Sequence, residues 1–380
     1  MSFLEYTALY RKFRPTTFGE MVGQEHITRT LKNQIIAGRV GHAYLFNGGR
    51  GTGKTSAAKI LARAVNCLNP KDGEPCNECE ICKAAMAGIL TDIVEMDAAS
   101  NNSVEDIRQI RDEVNFLPTV AKYRVYIIDE VHMLSTGAFN ALLKTLEEPP
   151  AHVKFILATT EPQKLPATIL SRCQRFDFKK IANEDIANHL IDICKKMNIE
   201  ITKEAVSTIA ILSEGAMRDA LSILERCLQD GETKIDEDKI KDLVGIPKLQ
   251  FIEAILEAII HCKVEDALNV IEEVVKEGKD IQNFLWEMIK YAKDILVYGA
   301  TKKAPLYSEE ETKKLAKLTE NVDRTTALGI VYALSNLENE MKWSSQKLIL
   351  FQVTVIKLCA RDLGATDGNE TEQIQQLEQK

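Results

Sequence analysis

The chain has 380 residues, of which 45% are hydrophobic and 27% charged, as in an ordinary globular protein. Residues 1–180 hold 23 Lys and Arg against 20 Asp and Glu, a net charge of +3, whereas the remaining residues hold 25 against 36, a net of −11. A nucleic-acid partner would therefore meet the N-terminal half. Neither a signal layout nor an apolar run long enough for a membrane span is present, so we expect a cytoplasmic protein with no membrane partner.

Strand-like apolar runs alternate with helical segments through residues 1–180. Near-continuous Val, Ile and Leu runs between helices are typical of a buried parallel sheet in an α/β layer fold. We expect a first domain over residues 1–180 with five strands. They are Ala43–Asn47, Asp92–Met96, Arg124–Asp129, Lys154–Thr159 and Arg175–Lys179.

Helical periodicity replaces this alternation from residue 183 onward. Three amphipathic helices are predicted within residues 183–197, 201–215 and 216–231, and glycines follow the second and third of them. A small three-helix domain over residues 181–244 accommodates them.

Residues 245–365 are predicted to form an all-helical packing or oligomerisation domain of five or six segments. Polar or glycine-containing stretches at 278–280, 299–308 and 321–325 separate these segments. Residues 366–380 are polar and have too few apolar side chains to pack, so they are expected to be frayed or to begin a linker.

The sequence GGRGTGKT at residues 48–55 matches the phosphate-binding pattern G-x-x-x-x-G-K-[ST]. A strand precedes it and a helix follows it, which is the context that the motif requires. Glycines let backbone N–H groups surround phosphate oxygens, and the helix N-terminus adds its positive dipole end. We expect Lys54 to reach the β- and γ-phosphates of ATP. The expected ATP-binding residues here are Gly48, Gly49, Arg50, Gly51, Thr52, Gly53, Lys54, Thr55 and Ser56.

An apolar strand ending in Asp129-Glu130 suits the Walker-B role. Thr55 and Asp129 would hold Mg²⁺, and Glu130 would orient and deprotonate the attacking water. A third strand ends in Thr159-Thr160, where a polar side chain can contact the γ-phosphate or the water.

Two arginines are weaker candidates. Arg172, in the stretch Ser171-Arg172-Cys173, has the position of a residue that could stabilise phosphoryl charge on a neighbouring subunit. Arg218 falls in the first turn of a predicted helix and could reach a nucleotide held between two domains. For both arginines the residues alone favour an ordinary solvated or salt-bridged side chain.

Four of the nine cysteines cluster in the pattern C-x₈-C-x₂-C-x₂-C, at Cys67, Cys76, Cys79 and Cys82. Four thiolates can close a tetrahedral structural Zn²⁺ site, and the polar segment between the first two has no core of its own. We expect a zinc module over about residues 64–88. An iron–sulfur cluster and free thiols are the alternatives.

These motifs occur together in an order and spacing that resemble one family. The matching stretches are YRKFRPTTFGEMVGQEHI, HAYLFNGGRGTGKT, CNECEIC with Cys67, IDEVHMLSTGAFNALLKTLEEPP, ILATTEPQKLPATILSRC and GAMRDALSILE. Through residues 6–228 the chain resembles the AAA+ clamp-loader ATPases, and most closely the gamma/tau subunit family of bacterial DNA polymerase III. Residues 245–363 resemble that family more loosely.

The resemblance implies a fold and several residue roles. The fold would be an α/β P-loop AAA+ domain with a parallel sheet and a zinc-binding insertion, followed by a three-helix lid and an all-α collar. Arg172 would be an arginine finger acting on a neighbouring subunit, and Arg218 a lid arginine that senses nucleotide in its own chain. Thr160 fits the strand-tip sensor position, with Thr159 as the fallback.

The resemblance also implies adenine contacts near Val22 and Gly23, and partners. Five subunits of the family form an open spiral that uses ATP to open a sliding clamp and load it onto primer–template DNA. DNA contacts would be made to phosphates. Our candidates are Asn101, Asn102 and Ser103 ahead of a helix, with Arg108, although Ser103 is equally well explained as a helix cap.

Longer members of the family carry further C-terminal domains that bind polymerase and helicase, so those contacts are in doubt for a chain ending at Lys380. Three other functions fit the motifs less well. A catalytically silent subunit would have a broken P-loop or lack the Asp-Glu pair, and a Holliday-junction motor would lack the cysteine insertion. A small-molecule kinase would need an acceptor site, for which no motif is present.

Overall fold

The computed structural model describes residues 8–231, 233–244, 249–303 and 309–361. The chain divides into two compact units, residues 1–240 and 241–380. The predicted polar tail lies outside the described residues. The predicted domain boundaries at 180/181 and 244/245 stay predictions.

The centre of the first unit is a five-stranded parallel sheet. Its strands in chain order are β1 (Ala43–Gly48), β2 (Ile93–Asp97), β3 (Arg124–Asp129), β4 (Val153–Thr159) and β5 (Gln174–Phe178). They lie side by side in the order β2-β3-β4-β1-β5, so β4 separates β3 from β1. Each predicted strand is confirmed to within one residue at either end.

Helices cover both faces of this sheet. The helices of this part of the chain are α1 (Leu9–Lys12), α2 (Glu25–Ile36), α3 (Lys54–Asn66), α4 (Glu80–Met86), α5 (Val104–Glu113), α6 (Thr136–Glu147) and α7 (Ala167–Leu170). Successive strand residues point to opposite faces, so Leu45 and Tyr126 pack in one apolar cluster with α5 and α6. Phe46 and Val125 pack in the other, with α2 and α3. Burial on both faces explains why the strands are continuous apolar runs.

The rest of the first unit is mainly helical. It contains α8 (Asn183–Met197), β6 (Glu200–Ile201), α9 (Lys203–Leu212), α10 (Met217–Cys227) and β7 (Lys234–Ile235), after which α11 (Glu237–Val244) begins. The three predicted helices are confirmed. The short parallel pairing of β6 with β7 was not predicted, since two residues are too few to show a strand pattern.

The described part of the second unit is built from helices around one apolar core. They are α12 (Leu249–Ile260), α13 (Val264–Lys276), α14 (Ile281–Thr301), α15 (Glu309–Glu320), α16 (Arg324–Met341) and α17 (Lys347–Cys359). Phe284, Leu334 and Phe351 lie in that core. The break predicted to begin at Gly299 is early by three residues, because α14 continues through Gly299 to Thr301. A Cβ there would lie 3.3 Å from Cγ2 of Thr319, so glycine permits close approach of α15.

Among the described residues, none of the helices has the length and apolarity needed to cross a membrane.

Candidate nucleotide site

A glycine-rich loop joins the carboxyl end of β1 to the N-terminus of α3. Gly51 and Gly53 have φ values of +72° and +103°, a region that glycine enters without steric cost. A Cβ at Gly51 would also lie 2.8 Å from Cβ of Ala216. The Thr52 hydroxyl donates a 2.8 Å hydrogen bond to the carbonyl of Gly49. Gly53 caps α3 without a side-chain hydrogen bond, which leaves the first N–H groups of the helix facing an anion-binding position.

Lys54 folds back over this loop. Its Nζ donates hydrogen bonds of 2.8 Å and 2.7 Å to the carbonyls of Gly48 and Gly49, and the residue is only 6% exposed. Burial lowers the pKa of Lys54, while the nearby carboxylates of Glu130 and Asp129 act in the opposite direction. The ammonium group is therefore held at the loop in a desolvated environment that favours an anionic ligand.

The start of α3 and the end of β3 bring two predicted magnesium ligands together. The Thr55 hydroxyl donates a 2.7 Å hydrogen bond to Oδ2 of Asp129. The backbone of Glu130 has φ +46° and ψ +44°, a left-handed conformation that is uncommon outside glycine. Its N–H donates a 3.0 Å bond to Oδ1 of Asp129. This local turn separates the directions of the two adjacent carboxylates.

The Glu130 carboxylate has polar neighbours from β4 and from the turn after β3. The hydroxyl of Thr160 donates a 3.1 Å hydrogen bond to Oε2 of Glu130. Nδ1 of His132 lies 3.5 Å from the same oxygen and 3.0 Å from the hydroxyl of Thr159. Nε2 of His132 lies 3.4 Å from Oε1 of Glu161. Thr160 thus faces Glu130, whereas Thr159 is fully buried beside His132. His132 was not among the site residues predicted from the sequence.

A cavity of about 540 Å³ within the first unit is lined by the phosphate loop, the start of α3 and the Asp129-Glu130 pair. Most of the predicted ATP-binding residues line it. Those in its wall are Val22, Arg50, Gly51, Thr52, Gly53, Lys54, Thr55, Ser56 and Arg218, and the catalytic candidates Asp129 and Glu130 line it as well. Gly23, Gly48 and Gly49 are not in the wall. A Cβ at Gly23 would lie 3.1 Å from Cγ2 of Ile181, so that glycine serves close packing behind the cavity.

Side chains of the N-terminal segment enter the same cavity. The guanidinium carbon of Arg218 lies 4.7 Å from the centre of the Tyr10 ring, within cation–π distance. Nε of Arg14 donates a 3.1 Å hydrogen bond to the hydroxyl of Ser56. Burial lowers the pKa of Arg14, opposed mainly by Glu95. The adenine contacts expected from the sequence were near Val22 and Gly23 and included neither side chain, although one tyrosine and three basic residues within YRKFRP could have indicated them.

Arg172 lies outside the cavity of its own chain. It follows α7, and Nη2 donates a 2.7 Å hydrogen bond to Oε1 of Glu147, with both side chains partly exposed. Nη1 donates a second bond of 2.9 Å to the carbonyl of Thr168. The structure therefore does not bring Arg172 to the phosphate loop beside Lys54.

The predicted DNA-contacting residues have local partners. Residues 101–103 are exposed, but Ser103 caps α5 in a capping box with Asp106. Nη1 of Arg108 lies 2.9 Å and 3.0 Å from the two carboxylate oxygens of Glu105. The geometry therefore shows Ser103 as the N-terminal cap of α5.

The four clustered cysteines converge on one point. The Sγ atoms of Cys67, Cys76, Cys79 and Cys82 all lie within 4.8 Å of one another. Four thiolates at Zn–S bonds of about 2.3 Å would stand roughly 3.8 Å apart, so this donor set fits a single tetrahedral zinc ion after a small contraction.

Backbone N–H groups point at the sulfur atoms. The N–H of Cys76 donates to Sγ of Cys67 at 3.3 Å, and that of Cys79 to Sγ of Cys76 at 3.3 Å. Hydrogen bonds from the N–H groups of Glu78 and Cys79 lower the pKa of Cys76 to about 6. A thiolate is the form that binds metal, so these bonds favour the ligand state of Cys76. Burial raises the pKa values of Cys67 and Cys82 instead.

Family models match three consecutive parts of the chain. The model for DNA polymerase III, delta subunit, matches residues 23–182. The model for the DNA polymerase III clamp loader subunit, ATPase lid domain, matches residues 185–232. The model for DNA polymerase III subunits gamma and tau domain III matches residues 235–374.

Similar proteins have related names. The DNA polymerase III subunit tau of Bacillus subtilis is 45% identical over 389 residues, covering 99% of this chain and 68% of the relative. The subunit gamma of Buchnera aphidicola subsp. Acyrthosiphon pisum is 33% identical over 360 residues, covering 93% of this chain and 99% of the relative. The subunit tau of Escherichia coli is 42% identical over 286 residues, and the aligned part spans only 44% of that protein.

One solved structure similar to this fold is that of the RuvB Holliday junction branch migration motor of Thermotoga maritima. It shares 20% identity over 65% of this chain and 79% of that chain, with a TM-score of 0.47, which is too low to support a functional inference. The family assignment rests instead on the sequence relatives and the family models. This chain belongs to the gamma/tau subunit family of DNA polymerase III.

Proposed function

We propose that the chain binds and hydrolyses ATP as a motor subunit of the DNA polymerase III clamp loader. Its work would be to open a sliding clamp and load it onto primer–template DNA. One observation carries the proposal: the Thr55 hydroxyl meets the Asp129 carboxylate at 2.7 Å in the wall of a cavity that also contains Lys54 and Glu130. Membership of the gamma/tau family supports the same activity.

The loop and the start of α3 would bind the phosphates. Backbone N–H groups of residues 50–56 would surround the oxygens, and the helix dipole would add to their attraction. Lys54 would exchange its bonds to Gly48 and Gly49 for the β- and γ-phosphates. Because its ammonium group is buried, the Coulombic attraction to a phosphate is stronger there than in water.

Thr55 and Asp129 would hold Mg²⁺, which neutralises charge on the phosphate oxygens when bound. Glu130 would accept the proton of the attacking water. The hydrogen bond from Thr160 to Glu130 supports Thr160 over Thr159 as the strand-tip sensor.

Arg218 would sense nucleotide in its own chain, because it lines the cavity from α10. Val22 would contact the adenine, with Gly23 shaping the backbone behind it. Arg172 would act on the nucleotide of a neighbouring subunit, since its own cavity does not include it and an arginine finger can be supplied in trans.

The assembly part of the proposal rests on the family. We propose that the chain works with other clamp-loader subunits in a pentamer, and that the sliding clamp and DNA phosphates are its partners. Residues 101–103 and Arg108 stay candidates for the DNA contact. Residues 1–180, 181–244 and 245–365 would act as ATPase, lid and collar, and the protein would work in the cytoplasm.

Zn²⁺ would be held by the four clustered cysteines and would stabilise the insertion that carries them. None of the four cysteines lines the cavity, so a structural contribution is sufficient for the proposal.

The test is an ATPase assay on the purified chain with partner subunits, sliding clamp and primed DNA, each omitted in turn. We expect turnover to rise severalfold only when clamp and primed DNA are both present. An ATPase rate that does not change when clamp or primed DNA is omitted would contradict clamp loading. Failure to bind ATP would contradict the whole proposal.

A further inference from the structure

The loop between the first two clustered cysteines contacts the N-terminal segment Thr16–Gly19. Oε2 of Glu74 accepts a 2.7 Å hydrogen bond from the N–H of Phe18, and Oε1 accepts a 3.0 Å bond from the N–H of Gly19. Nζ of Lys32 lies 3.1 Å from Oε1. The Glu74 side chain is 18% exposed, so these charge-assisted bonds are partly shielded from water.

A second contact arises within the C-x₂-C turn itself. Asn77 lies between Cys76 and Cys79 with φ +58°, and its Nδ2 donates a 3.2 Å hydrogen bond to the carbonyl of Thr16. Nη2 of Arg63, on α3, donates a 2.6 Å bond to the same carbonyl. The turn that presents the sulfur ligands therefore also holds Thr16.

The segment held in this way leads directly into the cavity wall. The N–H and hydroxyl of Thr16 donate bonds of 2.6 Å and 3.0 Å to Oε2 of Glu20. Pro15, Glu20 and Met21 line the cavity. Phe18 is 1% exposed and fixes the middle of the segment in the apolar core. A displacement at Thr16 would thus move the cavity wall.

We propose that Glu74 and Asn77 are positioning residues for the nucleotide cavity, and that metal occupancy of the cysteine cluster sets nucleotide affinity through them. The inference rests on the proposed ATP binding. The loop between Cys67 and Cys76 has no apolar core, so it keeps its shape only while the four cysteines are joined. Without the metal, Glu74 and Asn77 no longer have a fixed position from which to hold the segment.

The first experiment measures the dissociation constant of a fluorescent adenine nucleotide with the full chain, before and after removal of metal by a chelator. We expect affinity to fall about 5- to 20-fold without metal, which is in the lower range of coupling between sites. By reciprocity, bound nucleotide should raise the affinity of the chain for the metal by the same factor, measured by equilibrium competition with the chelator. A nucleotide affinity that is the same with and without metal would overturn this inference and leave the proposed function standing. Absence of binding by the metal-loaded chain would overturn the proposed function, and this inference with it.

The second experiment separates positioning from stability with metal-loaded variants. Glu74→Gln should keep one metal per chain, bind nucleotide about fivefold more weakly, and lose most of the difference between metal-loaded and stripped protein. Glu78→Gln is the matched control, because that exposed side chain lies in the same module; it should behave as wild type. Asn77→Gly keeps the left-handed backbone without strain and deletes only the bond to Thr16, so it should shift affinity in the same direction. Wild-type affinity and metal dependence in Glu74→Gln and Asn77→Gly would overturn the inference.

Discussion

The hydroxyl of Thr160 donates a 3.1 Å hydrogen bond to Oε2 of Glu130, where β4 and β3 end side by side. The preceding residue, Thr159, points into the core and contacts His132 instead. Adjacent residues at a strand end face opposite sides of the sheet, so only one of the two threonines can reach the carboxylate proposed as the general base.

Replacing Thr160 by valine should therefore impair turnover without impairing nucleotide binding. Valine keeps the shape but removes the donor, and a hydrogen bond to a charged group contributes roughly 1.5–3 kcal/mol. We expect kcat of the assembled complex to fall at least about tenfold, with KM nearly unchanged. Thr159→Val is the comparison: it should mainly lower the free energy of unfolding. A larger loss of kcat in Thr159→Val would reverse the assignment.

Replacing Lys54 by alanine should abolish nucleotide binding or turnover. The buried ammonium group supplies the main positive side chain of the phosphate loop, and among the residues that the structure describes no other lysine lines the cavity. Equilibrium binding of a fluorescent nucleotide measures the effect. Lys59→Ala, in the same helix and paired with Glu95 at 2.6 Å, is the control and should bind normally. Normal ATP turnover by Lys54→Ala would contradict the phosphate-binding role.

Replacing Arg172 by alanine should preserve ATP binding but slow hydrolysis in the full assembly. An arginine finger contributes roughly 10³–10⁵ to the rate, and even a small part of that is easily measured in a steady-state ATPase assay. The isolated chain should show no difference, because Arg172 is outside its own cavity. Arg175→Ala is the control, because it removes an arginine three residues away that pairs with Asp177. It should leave the hydrolysis rate of the assembly unchanged. Unchanged hydrolysis by the assembled Arg172→Ala protein would refute the finger.

Elemental analysis should find about one zinc per chain. Cys79→Ser removes one of four convergent thiols and should lose the metal and unfold the insertion, observed as faster proteolysis between residues 67 and 82. Cys262→Ser is the control, since that cysteine is exposed and outside the cluster. Iron in place of zinc would favour the cluster alternative, and absence of metal would favour free thiols.

Asp92 should stabilise the first unit in a pH-dependent manner. The residue is 1% exposed, and its carboxylate accepts hydrogen bonds from the N–H groups of Thr119, Val120 and Ala121. Burial acts to raise the pKa of Asp92, but these bonds outweigh it and the pKa is lowered. Because the folded pKa lies below the unfolded value, the stabilisation is complete above about pH 4. It is lost as the pH falls through the folded pKa.

Asp92→Asn should accordingly lower the free energy of unfolding by about 1–3 kcal/mol at pH 7, measured by urea denaturation. The difference from wild type should persist at pH 5 and shrink below about pH 4. Asp112→Asn is the control, because that carboxylate is 70% exposed beside Arg111. Equal effects of the two substitutions would contradict the buried-carboxylate explanation.

Much of the fold could be predicted because its signals are local. Each strand of the main sheet is a short apolar run between polar turns, and α8 follows an uninterrupted helical period. The short pairing of β6 with β7 could not be predicted, since two residues have no period. Gly299 was misread as a helix break, because its role depends on Thr319 in another helix.

The phosphate loop, the Asp129-Glu130 pair and the four cysteines are encoded in the sequence by itself, because each is a contiguous motif or a short fixed spacing. What only the tertiary structure decided are contacts between distant segments: Thr160 rather than Thr159 at Glu130, Arg14 at Ser56, and Glu74 at the N–H groups of Phe18 and Gly19. The physical reason is that a hydrogen bond depends on atoms meeting within about 3 Å. Residues some 55 positions apart meet only through the path of every loop between them, which no local pattern encodes.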